Sequence, residues 1–353
     1  MKIIHTSDLH LSSPLTSKLP ADKSRERRGE LLANFSRLIS EAERYSAEAI
    51  IIAGDLFDST KIPERAIDTV YDAVRNAKDI KFLYLAGNHD EDAVKSTSLA
   101  SLPNFIILDG ENRAVRFKTG VTVTGITRGG KGAFDSLSLD PTEKNIVVMH
   151  GELRDSASTQ EQIAIGEAAG RNIDYLALGH YHSYSEARID NRGVAVYSGT
   201  PEGRGFDEAG ECGFVVIDTD GTSLKHRFVA FASRKLHIVP IKLDGITRTA
   251  EIISGAERAL SQISRRDLVR LNLVGEFSPE LWRDTDAITR TFKDRFYYFE
   301  VKDSSRIHLD PAEYRNDKSL KGEFIRIVLS DDSIDEQTKS KIISCGIEAL
   351  MGE

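Results

Sequence analysis

Only two cysteines, Cys212 and Cys345, occur in 353 residues. They stand far apart and follow no metal-ligand spacing, which argues against a disulfide framework or a zinc-thiolate site and for free thiols in a reducing compartment. No run approaches the ~18 consecutive apolar residues of a membrane span. Met1-Lys2 leads straight into an apolar strand pattern without the organisation of a signal peptide, so a cytoplasmic protein with no membrane contact is expected. A basic excess is also missing: 47 Lys and Arg against 55 Asp and Glu leave a formal charge of -8. Any nucleic-acid contact therefore has to come from a local patch. Carboxylate metal ligands would account for part of the acidity, since a sequence tally counts them and omits the cations they bind. The composition, 40% hydrophobic and 29% charged, is that of ordinary globular domains, and the length implies two of them.

One design recurs along the first part of the chain: a short apolar run that stops on a glycine or a turn and then presents Asp, Asn or His. Residues 80–85 run into Gly87-Asn88-His89-Asp90, and residues 2–7 run into Asp8-Leu9-His10. Residues 49–53 run into Gly54-Asp55-Leu56-Phe57-Asp58, residues 145–149 into His150-Gly151, and residues 173–178 into Gly179-His180-Tyr181-His182. Apolar periodicity predicts helices over residues 28–46 and, opened by Pro63, after it. Two strand-helix-strand crossovers imply a parallel sheet, whose ligands collect beyond the carboxyl ends of the strands. All five motifs fall at such ends.

From residue 105 the pattern changes to short strands with glycine and asparagine turns, suggesting a second sheet packed on the first, with a helix over residues 160–170 and further antiparallel strands to residue 231. The expected fold class is α/β, a four-layer αββα sandwich over residues 1–235. A smaller α/β domain is expected over residues 236–353, with strands at 237–243, 267–274 and 296–301, and helices at 247–263, 279–292 and 334–351.

Asp8, His10, Asp55, Asn88, His150, His180 and His182 form a donor set of imidazole and oxygen without thiolate, which suits manganese, iron or zinc, with magnesium a further alternative. Two such ions ~3.5 to 4 Å apart cleave phosphoesters by lowering the pKa of a shared water and neutralising charge at phosphorus. His89, beside Asn88 but not needed to complete either ion's ligands, is the candidate catalytic acid or transition-state donor. Asp58 and Asp90 are expected to orient ligands or cap loops. His5, inside its strand, is expected to be structural, and His226, His237 and His308 lie in no motif.

Asp8-x-His10, Gly54-Asp55-x-x-Asp58, Gly87-Asn88-His89-Asp90, His150-Gly151 and Gly179-His180-x-His182, in this order, resemble the signature of the calcineurin-like metallophosphoesterases. More narrowly, residues 5–10, 53–58 and 85–90, Tyr197-Ser198-Gly199-Thr200-Pro201 and Glu211-Cys212-Gly213-Phe214 resemble SbcD-type DNA repair nucleases. Pro201-Glu202-Gly203-Arg204 is similar to the YhaO-like bacterial branch. Val239-Pro240-Ile241 and Val269-Arg270-Leu271 are similar to that family's capping domain. The resemblance implies one metal on Asp8, His10, Asp55 and His182, a second on Asp55, Asn88, His150 and His180, and His89 on the scissile phosphate. It also implies manganese, 3′ to 5′ exonuclease and single-strand endonuclease activity in double-strand-break repair or end processing, and a partner ATPase of the SMC type, SbcC-like. A homodimer is a further expectation.

The basic cluster Lys23, Arg25, Arg27 and Arg28 is read as lying on the loop after Asp8-x-His10, where Arg25, Arg27 and Arg28 would meet substrate phosphates; the alternative is the solvated start of a helix. Arg204 is a further substrate-binding candidate, with Arg128, Lys131 and Arg154 on loops that reach the same rim. Two other functions stay open. A phosphatase or cyclic-nucleotide phosphodiesterase would turn over small phosphoesters without a preference for DNA ends. A DNA-end-binding scaffold for an SMC-type ATPase would bind without cleaving, in a salt-sensitive way.

Overall fold

β2 (Ala47–Ala53) alternates in which side it covers: Ala49, Ile51 and Ala53 pack with the second sheet, while Ile50 and Ile52 pack under helices. A strand buried on both faces reads as a continuous apolar run rather than as alternation. In the computed structural model, which describes residues 1–15, 19–110, 113–278, 281–307 and 316–350, β1 (Lys2–Thr6), β2, β3 (Lys81–Leu85) and β4 (Phe105–Ile107) run parallel. Helices α1 (Ala21–Arg44) and α2 (Glu64–Asn76) make the first two crossovers. Phe35, Leu38, Val70 and Val74 seal them onto the sheet against Ile4, Phe82 and Tyr84.

The chain then builds β5 (Ala114–Arg116), β6 (Val121–Gly125), β7 (Lys144–His150), the short pair β8 (Glu152–Arg154) and β9 (Gln162–Ala164), and the single-turn α3 (Ile165–Ala168). β10 (Tyr175–Gly179), β11 (Ser185–Arg188) and β12 (Val194–Tyr197) follow, before β13 (Gly213–Asp218) and β14 (Lys225–Ala230). Among the described residues this makes two six-stranded sheets, ordered β14-β13-β1-β2-β3-β4 and β11-β12-β10-β7-β6-β5. Ile51, Leu83, Val123, Ile146, Val148 and Ala177 meet between them. The α/β sandwich stands, with its outer layer on the second sheet formed from α3 and loop side chains such as Phe134 packed on Val147, Met149 and Leu176.

Three local expectations are corrected. Residues 105–107 close the first sheet rather than opening the second, and β13 returns to pair antiparallel with β1. Residues 160–170 give a strand and one helical turn, because residues 162–164 pair with β8 instead of continuing a helix. Helix α1 begins seven residues before the expected start at residue 28, directly after Pro20, and Ser24 donates its hydroxyl to the carbonyls of Leu15 and Leu19. The basic cluster is therefore helical.

The chain divides into two compact units, Met1–Lys235 and Leu236–Glu353. In the second, β15 (Leu236–Lys242), β16 (Leu268–Val274) and, after the short β17 (Glu276–Phe277), β18 (Tyr298–Asp303) form a parallel three-stranded sheet. Helices α4 (Thr249–Ala259) and α5 (Thr285–Phe292) pack on it through Ile252, Ala256, Ile288 and Phe292. A helix over Leu320–Leu329, opened by the Ser319 hydroxyl accepting from Gly322 N, is one the periodicity reading missed. Glu336–Leu350 buries Ile343 and Ile347 in the same core. Pro279, Met351 and His308 lie outside the described residues.

His5 is buried between the sheets with Nδ1 2.9 Å from Tyr175 Oη, and burial pushes its pKa down to about 3. The folded chain thus refuses a proton that the unfolded chain accepts below pH ~6.5. Its contribution is intact above that pH and is lost progressively as pH falls toward 3. In denaturant titrations from pH 7 to pH 4, His5→Gln is expected to lose stability less steeply than wild type, by up to ~1.4 kcal/mol per pH unit. Parallel curves would show that His5 does not carry this sensitivity.

Candidate metal centre

Each candidate side chain sits where a buried strand ends and the backbone turns sharply. Asp8, His10, Asp55 and His180 have φ of 53°, 44°, 51° and 107°, four of the eight non-glycine residues with positive φ among those described. Such conformations cost ~1–3 kcal/mol each and persist where surrounding contacts over-determine them. Here Asp8 N donates to Gly54 O (3.1 Å) and His10 N to Asp55 O (3.0 Å), tying the end of β1 to the end of β2. His180 N donates to both Asp8 carboxylate oxygens at 3.1 Å, tying the two sheets together. Glycine is required at three of these turns: a Cβ on Gly54 would fall 2.0 Å from His150 Nδ1, one on Gly87 2.1 Å from Asp55 Oδ1, and one on Gly179 1.8 Å from Ala53 O.

The carboxylate of Asp55 stands at the middle. Its Oδ1 accepts from His89 N (2.9 Å), while its Oδ2 lies 3.7 Å from His10 Nε2 and 3.5 Å from His150 Nε2. On one side Asp8, His10 and His182 bring ligand atoms within 4.8 Å of one another; on the other Asp8, Asp55 and His150 do so. A third such cluster joins His10, Asp58 and His89. Asn88 Oδ1 is 2.9 Å from His150 Nε2. His180 enters none of the three clusters, and its ring stands edge-on to His150 with centroids 5.5 Å apart.

The rings are held by one nitrogen and offer the other. His150 Nδ1 donates to Ala53 O (2.9 Å), His182 Nδ1 donates to Glu208 Oε1 (2.9 Å), and His89 Nδ1 is 3.1 Å from Asp58 O. Such support fixes the tautomer and aims Nε2 at a metal. His10 Nδ1 lies 3.0 Å from Asp58 Oδ1, and its Nε2 is buried without a hydrogen-bond partner. A buried imidazole nitrogen with no partner is costly, and a divalent cation facing Asp55 satisfies it. The donor set therefore fits two divalent ions.

Burial lowers the pKa of His10 and of His180, keeping both neutral and able to donate a lone pair. For His182 burial also opposes charge, but the Glu208 hydrogen bond and the Asp8 and Glu208 carboxylate charges together outweigh it and the pKa rises. Glu208 itself is held far below the usual carboxylate range: burial pushes its pKa up, yet the His182 hydrogen bond and the Arg204 charge prevail. Asp90, buried, accepts from Gly87 N (3.0 Å) and Phe57 N (3.2 Å), capping the loops that carry Asn88 and Asp55.

Two of the four expected substrate arginines are corrected. Arg27 is 1% exposed: it donates to Glu202 (2.7 Å), Glu30 (2.5 Å) and Gly203 O (2.8 Å), a strut between α1 and the loop after β12. Arg204 is buried against Asp58 (2.9 Å) and Glu208 (2.7 Å), so it braces the residues that brace His10 and His182. Arg25 and Arg28 are exposed, and with Arg65 they line a groove of about 410 Å³ floored by Leu11, Leu32, Pro63 and Ala66. Glu208 was missed because no motif marks it; its only local signal is a position four residues after Arg204. A larger cavity, about 580 Å³, opens beside Asn88, His150 and His180, and Glu91, Asp92, Asp109, Glu161, Lys95 and Arg128 line it.

A sequence model of the calcineurin-like phosphoesterases matches residues 1–184. The chain is similar to the DNA double-strand break repair protein Mre11 of Methanopyrus kandleri, 26% identical in an alignment of 274 positions that covers 68% of this chain and 59% of that protein. It is similar to the Mre11 protein of Sulfolobus acidocaldarius at 24% identity, covering 78% and 75% of the two chains. A third relative is the uncharacterized metallophosphoesterase YhaO of Bacillus subtilis, at 23% identity with 65% and 60% covered. The chain spans about half the length of the first curated relatives it matches, 59%, 46% and 43%. Among solved structures, TT1561 of Thermus thermophilus superposes with a TM-score of 0.42 at 12% identity, covering 64% of this chain and 98% of that one.

Removing one partner of a buried ion pair costs ~3–5 kcal/mol, whereas exposed side chains change stability by no more than ~0.5 kcal/mol. Arg27→Ala is accordingly expected to lower the unfolding free energy by ~3–5 kcal/mol and Arg25→Ala by less than ~0.5 kcal/mol, measured by urea denaturation. Equal, small losses would put Arg27 back among the available cations.

Proposed function

Because the chain belongs to the calcineurin-like phosphoesterase family, we propose that its metal centre hydrolyses phosphodiester bonds of DNA, as a 3′ to 5′ exonuclease with single-strand endonuclease activity in break repair or end processing. The observation that carries the chemistry is the position of Asp55, one carboxylate oxygen between His10 and His150. The relatives named DNA double-strand break repair proteins support DNA as the substrate.

Asp8, His10, Asp55 and His182 would hold one ion, and Asp55, Asn88, His150 and His180 the other. When bound, manganese or a similar divalent pair supplies a water of lowered pKa and neutralises charge at phosphorus. The chain's own residues do the rest. Glu208 and Arg204 keep His182 in place, Ala53 O fixes the His150 tautomer, and Asp58 faces His10. His89, exposed and held through Nδ1, presents Nε2 to substrate, where the doubly protonated ring donates the Nε2 hydrogen bond to the phosphate and gives that proton to the departing 3′ oxygen. Arg25, Arg28 and Arg65 line a groove suited to backbone phosphates. The second unit is a capping, DNA-binding or partner-binding domain, and the partner is an SbcC-like SMC-type ATPase. Among the described residues no helix is long and apolar enough to cross a membrane.

One observation favours a second reading, hydrolysis of small phosphoesters: four carboxylates line the cavity beside the centre, an unfavourable surface for a long polyanion.

Manganese-dependent digestion of a linear duplex labelled at its 3′ end separates the two. Wild type is expected to release the label. His89→Ala should keep its metals and lose ~10²- to 10⁴-fold in kcat, the range of one general acid, while Asp55→Asn should lose metal and activity together. Loss of both metals in His89→Ala would make His89 a ligand. Turnover of a small diester with the duplex left intact would favour the second reading.

A further inference from the structure

Among the described residues of the first unit, one large apolar side chain is left exposed: Tyr181, at 41%. It lies between His180 and His182, whose rings face the metal centre, so the exposed aromatic stands at the rim of the site rather than at a random surface position. The ring is held in place. Its hydroxyl donates to Glu152 Oε1 (2.6 Å), and the same oxygen receives Arg154 Nη2 at 2.5 Å. Tyr197 meets the ring edge to face with centroids 4.9 Å apart, and His180 lies tilted at 5.6 Å. Neither neighbour stacks flat on it. Tyr197 is in turn fixed by donating to Gly151 O (2.7 Å) and accepting from Leu153 N (2.7 Å).

An exposed aromatic that is braced on one side and beside a phosphate-cleaving centre is the arrangement that single-strand binders use to stack bases, which all present a π face. A sealed structural tyrosine would not keep two-fifths of its surface in water, and a purely solvated position would not need the Glu152, His180 and Tyr197 braces.

We propose that Tyr181 is the stacking platform for the nucleobase next to the scissile phosphate, a positioning residue that makes the centre take unpaired or frayed ends in preference to closed duplex. This rests on the reading of DNA as substrate. A base within a duplex keeps its faces against its neighbours, so only an unstacked one can use the ring.

The test uses the full chain carrying His89→Ala, with manganese present to retain the site, and measures by anisotropy the binding of a labelled single strand ending in an ordinary nucleotide or in an abasic one. Tyr181→Leu should weaken binding of the ordinary strand about tenfold, within the range of one base-aromatic stack. Tyr181→Phe should stay within about twofold of the parent, and all three proteins should bind the abasic strand alike. Two results would overturn the platform while leaving the DNA reading intact: unchanged affinity in Tyr181→Leu, or an equal loss on both strands, which marks a merely structural ring. No binding of either strand by the parent protein would defeat the DNA reading and the nucleobase platform with it.

Discussion

The centre depends on one shared carboxylate. Asp55 is 2% exposed, at the end of a strand buried on both faces, and its two oxygens serve different neighbours: one receives the His89 backbone, the other looks between His10 and His150. Holding a charge so deep is unfavourable unless it is paired or coordinates a metal. The local backbone is shaped around it. Gly54 turns at φ 92° so that His150 can lie against it, Asp55 itself sits at φ 51°, and Gly87 leaves no Cβ where the carboxylate lies. Strain at Asp8, His10, Asp55 and His180 is held by hydrogen bonds between β1 and β2 and between the two sheets.

Around that carboxylate the cations divide by burial rather than by sequence position. Arg204 and Arg27 carry full charge into the interior, where each is matched by carboxylates, Glu208 and Asp58 for one and Glu202 and Glu30 for the other. Both order the chain and neither can leave to meet a ligand without exposing an unpaired buried carboxylate. Arg25 and Arg28, on the same helix as Arg27, point to a groove instead. A helix turns 100° per residue, so neighbouring arginines in a basic run meet different surroundings.

The strand ends were the legible part of the sequence. Buried parallel strands read as apolar runs, a glycine must follow or precede the ligand where a Cβ would collide, and Asp, Asn or His at five such ends has few purely structural explanations. Sheet membership was less legible: residues 105–107 and 213–218 look like any short strand, and only tertiary pairing sends both to the first sheet. The support of His182 by Glu208 was illegible because the two lie 26 residues apart and meet only through the loop that carries Arg204. Arg27 was misread for the same reason, since its partner Glu202 is 175 residues away.

Anomalous diffraction from crystals of the full chain grown with manganese tests the central claim most directly. Two peaks on opposite sides of the Asp55 carboxylate, one nearer His10 and His182 and one nearer Asn88 and His150, are the expected result. A single peak, or two that do not share Asp55, would contradict a bridged two-metal centre.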